Sequence, residues 1–142
     1  MTISCEIVSQ DRPVFSGDVD MVILPGTSGE MGILPNHAPL LTSLNFGIVT
    51  VKVKGVQEHF TVAGGVAEVL PNKVTILADA AENVEEIDVE RALAAKQRAE
   101  ERLKSITATD IDRYMRASYA LKRSNLRLQA VQKYRKISKT RI

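Results

Sequence analysis

Two periods divide the chain. Up to about Asp79, apolar and polar positions alternate in short runs separated by turn formers, the pattern of antiparallel strands packed as a sandwich or barrel. Ile3, Cys5 and Ile7 alternate with Thr2, Ser4 and Glu6, and Val8 ends the pattern. Over residues 48–54, Val49, Val51 and Val53 are expected to face the core, with Thr50, Lys52 and Lys54 facing water. Gly55 supplies a turn and residues 56–63 return as the partner strand. Gly64 and Gly65 are expected to break or bulge the sheet before residues 66–70, and Pro71-Asn72 turns the chain into residues 74–77. From Asp88 the period becomes helical, through Val89, Ala92, Ala95 or Lys96, Ala99, Leu103 and Ile106. Asp88 is the expected N-cap, and Glu90 sits in the first turn, where the helix dipole favours an anion. The small side chains of the stripe would let another helix approach closely. Residues 105–109 interrupt the period. Thr109 followed by Asp112 predicts a capping box for a second helix running through Lys136, with Ile111, Met115, Leu121, Leu128 and Val131 as a thin apolar stripe. Two helices joined by a short turn make an antiparallel hairpin, so the fold class is α+β.

At 142 residues and 15.6 kDa the chain is long enough for one ordinary domain, or a small domain with an appendage. Cys5 is its only cysteine, which excludes an intrachain disulfide framework and fits a reducing compartment. No apolar run reaches the length of a membrane span, and MTISCEIVSQ lacks the form of a signal peptide, so membrane association is expected only through partners. The net charge of +2 conceals an asymmetry. From residue 110 onward ten Lys or Arg meet two Asp, giving +8, while residues 1–109 carry nine basic and fifteen acidic side chains, giving −6. Such a tail either seeks an acidic surface or forms a solvated helix face.

The candidate chemistry is sparse. The segment Gly26 to Leu41, GTSGEMGILPNHAPLL, has neither the lysine of a phosphate-cradling loop nor a helix after it. It reads as a pair of tight turns stiffened by Pro35 and Pro39, or as a rigid docking loop with Glu30 and Met31 at its tip. His37, His59 and Cys5 share no metal or nucleophile spacing, so catalysis by this chain is not expected. A hairpin pivoting near Thr107 sets Arg91 opposite about position 124, Arg98 opposite about 117, and Asp88 opposite Arg127. Arg91 with Arg98, and Arg123 with Arg127, each share a helix face. These cations need carboxylates such as Glu82 and Asp88, or a bound anion, among them. An interhelical salt-bridge array and a phosphate site both fit that spacing. The basic tail also admits nucleic-acid binding as the alternative function, although only Tyr114, Tyr119 and Tyr134 accompany it and no recognised binding motif does.

Taken together and in order, GTSGEMGILPNHAPLL, the run GGVAEVLPNKVTILADAAE from Gly64 to Glu82, and EIDVERA from Glu86 to Ala92 resemble the epsilon-subunit family of bacterial and chloroplast rotary ATP synthases. The resemblance spans essentially the whole chain. Val66 departs from it, standing where many relatives carry a bulkier residue, and KISKTRI, residues 136–142, lies outside the motif. The resemblance implies an N-terminal antiparallel β-sandwich over residues 1–84, docked on a gamma subunit and a membrane rotor ring, followed by a C-terminal antiparallel two-helix hairpin over residues 85–142. It implies a non-catalytic central-stalk subunit of a proton-translocating ATP synthase that inhibits hydrolysis through its C-terminal helices. By the same resemblance Gly29, Glu30, Met31 and Gly32, with His37 nearby, would contact the ring. ATP would be a regulatory ligand held by Glu82, Asp88, Arg91 and Ala92 around the adenosine and by Arg98, Arg123 and Arg127 at the phosphates. The motif does not decide whether Mg²⁺ accompanies it. The basic second helix would lie against the catalytic alpha and beta subunits. The location implied is the cytoplasmic face of a bacterial plasma membrane, or the stromal face of a thylakoid, without nucleic acid as a partner.

Overall fold

The alternation of Ile3, Cys5 and Ile7 with polar neighbours sets the core: all three are fully buried. A computed structural model describes residues 1–10, 12–107 and 109–135. The chain divides into two compact units, Met1–Val84 and Glu85–Ile142. The first unit holds eight strands, β1 (Ile3–Ser9), β2 (Pro13–Val19), β3 (Met21–Gly26), β4 (Gly29–Ile33), β5 (Leu40–Val53), β6 (Val56–Leu70), β7 (Lys73–Ala78) and β8 (Ala81–Asn83). Their hydrogen-bonded order is β2-β1-β7-β6-β5-β3-β4, with β8 also on β6. Neighbours run antiparallel except β1 and β7, which are parallel.

This sheet folds into a sandwich around one core that joins residues distant along the path: Ile7 on β1, Leu24 on β3, Val51 on β5, Phe60 on β6 and Ile76 on β7. Each such side chain contributes about 1.5–3 kcal/mol by leaving water. Phe60 meets the ring of Phe15 edge-on, with centroids 5.4 Å apart. Val49 and Val51 are buried as the alternation predicts, but Thr50, expected in water, is only 7% exposed. It tolerates burial because its hydroxyl is hydrogen-bonded to Nδ1 of its cross-strand partner His59 at 3.0 Å, which also gives that histidine a structural place. Burial, aided by the neighbouring Glu6 carboxylate, pushes the Cys5 thiol up to about 12, so at neutral pH it stays protonated and is no nucleophile.

The glycine pair does not break the sheet. β6 runs unbroken through Gly64 and Gly65 with an unshifted register against β5, Leu44 pairing Gly65 and Phe46 pairing Ala63. Instead the pair marks where β6 changes its other partner from β8 to β7. Both glycines have left-handed φ, +87° and +131°, and a Cβ on Gly65 would run into the Leu77 carbonyl.

The second unit holds α1 (Val89–Ser105) and α2 (Ile111–Tyr134). Asp88 caps α1 as expected, its Oδ1 accepting from the Arg91 N–H at 3.1 Å. The cap of α2 is Asp110, one residue beyond the predicted Thr109, and its Oδ1 accepts from the Arg113 N–H at 3.2 Å. Thr109 is engaged elsewhere, its hydroxyl 3.1 Å from that of Thr107. α2 ends at Tyr134, and the predicted extension to Lys136 falls outside the described residues.

Candidate functional site

The hairpin has a seam of small side chains. The buried residues of α1 and α2 are Ala92, Ala99, Ala117, Ser124 and Ala130, and the Ser124 hydroxyl is satisfied by donating to the Ala120 carbonyl at 3.0 Å. Seven-residue steps from Ala92 to Ala99 and from Ala117 to Ser124 keep these residues on one line of each helix. The apolar stripe predicted for α2 is therefore only partly the packed one: Leu121, Leu128 and Val131 are half-buried, but Ile111 is 68% and Met115 47% exposed. Far from the turn, Nη2 of Arg135 donates to the Ile87 carbonyl at 2.6 Å, tying the end of α2 to the residue before the α1 cap.

Helix geometry then places the charges. A residue one before or three after a seam position lies on the same side of its helix. Two antiparallel helices are related by a two-fold axis normal to their common plane, so like-offset residues of both emerge on the same flank. Arg91, Arg98 and Arg102 occupy those offsets on α1, and Arg116, Arg123 and Arg127 on α2, with Arg113 a turn before Ala117. One flank thus gathers seven arginines from both helices, while Leu93, Leu103, Leu121 and Leu128 fall on the other. The carboxylates of Asp88 and Asp110 are both occupied as caps, and Asp110 also pairs with Arg113 Nε at 3.4 Å.

Of the residues predicted to hold ATP, the second unit brings Arg91, Arg98, Arg123 and Arg127 onto one flank beside the seam residue Ala92, with Asp88 capping the helix they begin. Arg123 and Arg127 are half-buried; Arg91 and Arg98 are exposed. Glu82 belongs to the first unit, on β8, where its carbonyl accepts from the buried Thr61 hydroxyl at 3.4 Å. Arg102, Arg113 and Arg116 were not among the predicted residues. Their offsets from the seam alanines are the signal that finds them.

Of the predicted ring-contact residues, Gly29, Glu30, Met31 and Gly32 lie on β4, which among the described residues pairs only with β3 and so forms an edge of the sheet. Gly26 pairs with Gly29, leaving Thr27-Ser28 as the tip of that hairpin in place of the expected Glu30 and Met31. Glu30 is exposed on the strand opposite Pro25, whereas Met31 turns inward and packs on the core. Gly29 adopts φ +132°, which a side chain would strain. The Thr27 N–H donates to the Ser43 carbonyl at 3.1 Å, fastening the tip to the next strand. Gly32 is exposed; His37, further on, is half-buried, its Nδ1 donating to the Ala38 carbonyl at 2.7 Å.

Two family models match the chain: the ATP synthase delta/epsilon chain β-sandwich domain over residues 2–84 and the long α-helix domain of the same chain over residues 85–132. The chain is 50% identical to the ATP synthase epsilon chain of Bacillus licheniformis, covering 89% of this chain and 95% of that one. It is 59% identical to that of Pelotomaculum thermopropionicum over 69% of this chain and 73% of that protein. Among solved structures it is similar to a chain of the Euglena gracilis mitochondrial ATP synthase OSCP/F1/c-ring assembly, at 26% identity and TM-score 0.74, covering 92% of this chain and 81% of that one.

Proposed function

The chain belongs to the ATP synthase epsilon-chain family, and from that premise we propose that it is a rotor subunit whose hairpin binds ATP and restrains ATP hydrolysis. It is a non-catalytic subunit of the synthase and joins the membrane through the complex; among the described residues no helix is long and apolar enough to cross a bilayer. Within the complex the β-sandwich docks on the gamma subunit. The edge hairpin carrying Gly29, Glu30, Met31 and Gly32, with His37 behind it, meets the rotor ring on the cytoplasmic side. That hairpin suits torque transfer because its tip is fastened to the neighbouring strand.

The observation that carries the regulatory reading is the composition of the hairpin seam. Its fully buried side chains are alanines and one serine, with Leu121, Leu128 and Val131 only half-buried, so closing it removes less apolar area from water than a leucine-packed seam would. A hairpin held this weakly is shifted by a modest differential affinity. Arginines of both helices share one flank, so an anion spanning Arg91 and Arg98 on α1 and Arg123 and Arg127 on α2 attaches only to the closed form. At one hundred times its dissociation constant such a ligand stabilises the closed state by about 2.7 kcal/mol. ATP supplies the polyphosphate, with Asp88 and Ala92 near the adenosine. When ATP is scarce the hairpin opens and α2 lays its basic face on the alpha and beta subunits, blocking rotation in the hydrolysis direction.

Calorimetric titration of the full chain with ATP tests the ligand. Saturable binding is expected, weakened about tenfold or more in Arg98→Gln and in Arg127→Gln, with helix content unchanged by circular dichroism. A titration without saturation removes ATP from the mechanism.

A further inference from the structure

At the turn end of the basic flank lies a cavity of about 280 Å³, lined by Arg102, Ser105, Ile106, Arg113, Arg116 and Ala117. None of the residues assigned to ATP lines it. We propose that this cavity is a second anion site on the hairpin, taking a di- or triphosphate group independently of the ATP site.

Three guanidinium-bearing residues line the cavity and no carboxylate does. Arg113 has a counter-ion in Asp110, and among the described residues the guanidinium groups of Arg102 and Arg116 have no ion-pair partner. The cations of Arg102 and Arg116, matched by no carboxylate on the same cavity, repel one another, and a multivalent anion relieves that repulsion where a neutral ligand cannot. The remaining donors nearby are already committed. The Ser105 hydroxyl donates to the Arg102 carbonyl at 3.1 Å, the Ile106 N–H to the same carbonyl, and the Arg113 N–H to Asp110. Recognition therefore rests on the guanidinium forks, whose planar N–H pairs match the oxygens of a phosphate. Ala117, buried on the hairpin seam, also lines the cavity. The volume lies just below the roughly 300–1,000 Å³ typical of small-molecule sites, fitting a compact polyphosphate group. A concave site of that size suits a small anion better than the carboxylates of an extended acidic peptide.

The site is tested with the full chain and inorganic pyrophosphate, titrated at constant ionic strength with sodium chloride as the compensating salt. Saturable binding is expected to persist in the Arg127→Gln chain, whose ATP site is weakened, and to fall about tenfold when Arg102→Gln or Arg116→Gln is added to it. The amide resonances of Ser105, Ile106 and Ala117 are expected to shift on binding. If ADP displaces pyrophosphate from the Arg127→Gln chain, nucleotide phosphates are the source of the ligand; if it does not, the source is inorganic, and either result keeps the site. The proposal is overturned by titration of the Arg127→Gln chain without saturation, which would return the binding to the ATP site, or by affinity unchanged when either turn-end substitution is added. Because Arg127 lies outside the cavity, failure of the ATP reading leaves this test intact.

Discussion

Replacing Phe60 by alanine is expected to lower the stability of the β-sandwich by about 3–5 kcal/mol, measured as a fall in the urea midpoint with little change in slope. Phe60 is 1% exposed and lies where β6 is paired on both sides, to Val49 on β5 and to Asn83 on β8. Truncation leaves a cavity that these two flanking strands cannot both move to fill, and removes the edge-on contact with Phe15, worth about 0.5–1.5 kcal/mol beyond its area. A small domain has only about 5–15 kcal/mol in total, so most of its margin would go. Phe60→Leu, closer in volume, is expected to cost clearly less. A loss under about 1 kcal/mol for the alanine variant would show that the core is not closed around this ring.

Placing leucine at Ala99 is expected to open the hairpin. Ala99 is 2% exposed on a seam of alanines and serine, and overpacking such a position costs about 1–3 kcal/mol. If ATP binds only the closed form, the same free energy appears as a loss of apparent ATP affinity of about 5–150-fold. Leu93→Ala, a comparable change on an exposed position of the same helix, is expected to leave that affinity within about twofold. Equal effects of the two variants would mean that ATP affinity does not depend on closure of the seam.

Much of this was legible in the residues. Alternation found the buried faces of β1 and β5, because one solvated face forces period two. The three- and four-residue steps found the α1 side of the helix seam, Ala92 and Ala99, but on α2 pointed to Ile111 and Met115, which are exposed, in place of Ala117, Ser124 and Ala130. What escaped the pattern was chemistry that depends on a neighbour. Thr50 reads as a solvent position until His59 across the strand pairs with its hydroxyl. Gly64 and Gly65 read as a break or bulge, yet β6 runs through them in register with β5 while its other partner changes. Met31 lies in a segment that reads as an exposed loop, and only the β3–β4 register turns it toward the core. Asp110 displaced Thr109 as the cap because a carboxylate is the stronger acceptor and the threonine had another partner. On the hairpin, pairwise spacing found four of the flank arginines. Arg102, Arg113 and Arg116 become visible only once the seam is known, since their side of the helix is defined relative to it.

Hydrolysis by the synthase reconstituted with the chain truncated after Thr109 tests the regulatory account most directly. Removing residues 110–142 deletes α2 and leaves the whole β-sandwich for docking. The truncated complex is expected to hydrolyse ATP faster than the full-length complex when ATP is scarce, with the difference closing as ATP rises and folds the hairpin of the full chain. Equal rates for the two complexes at every ATP concentration would contradict it.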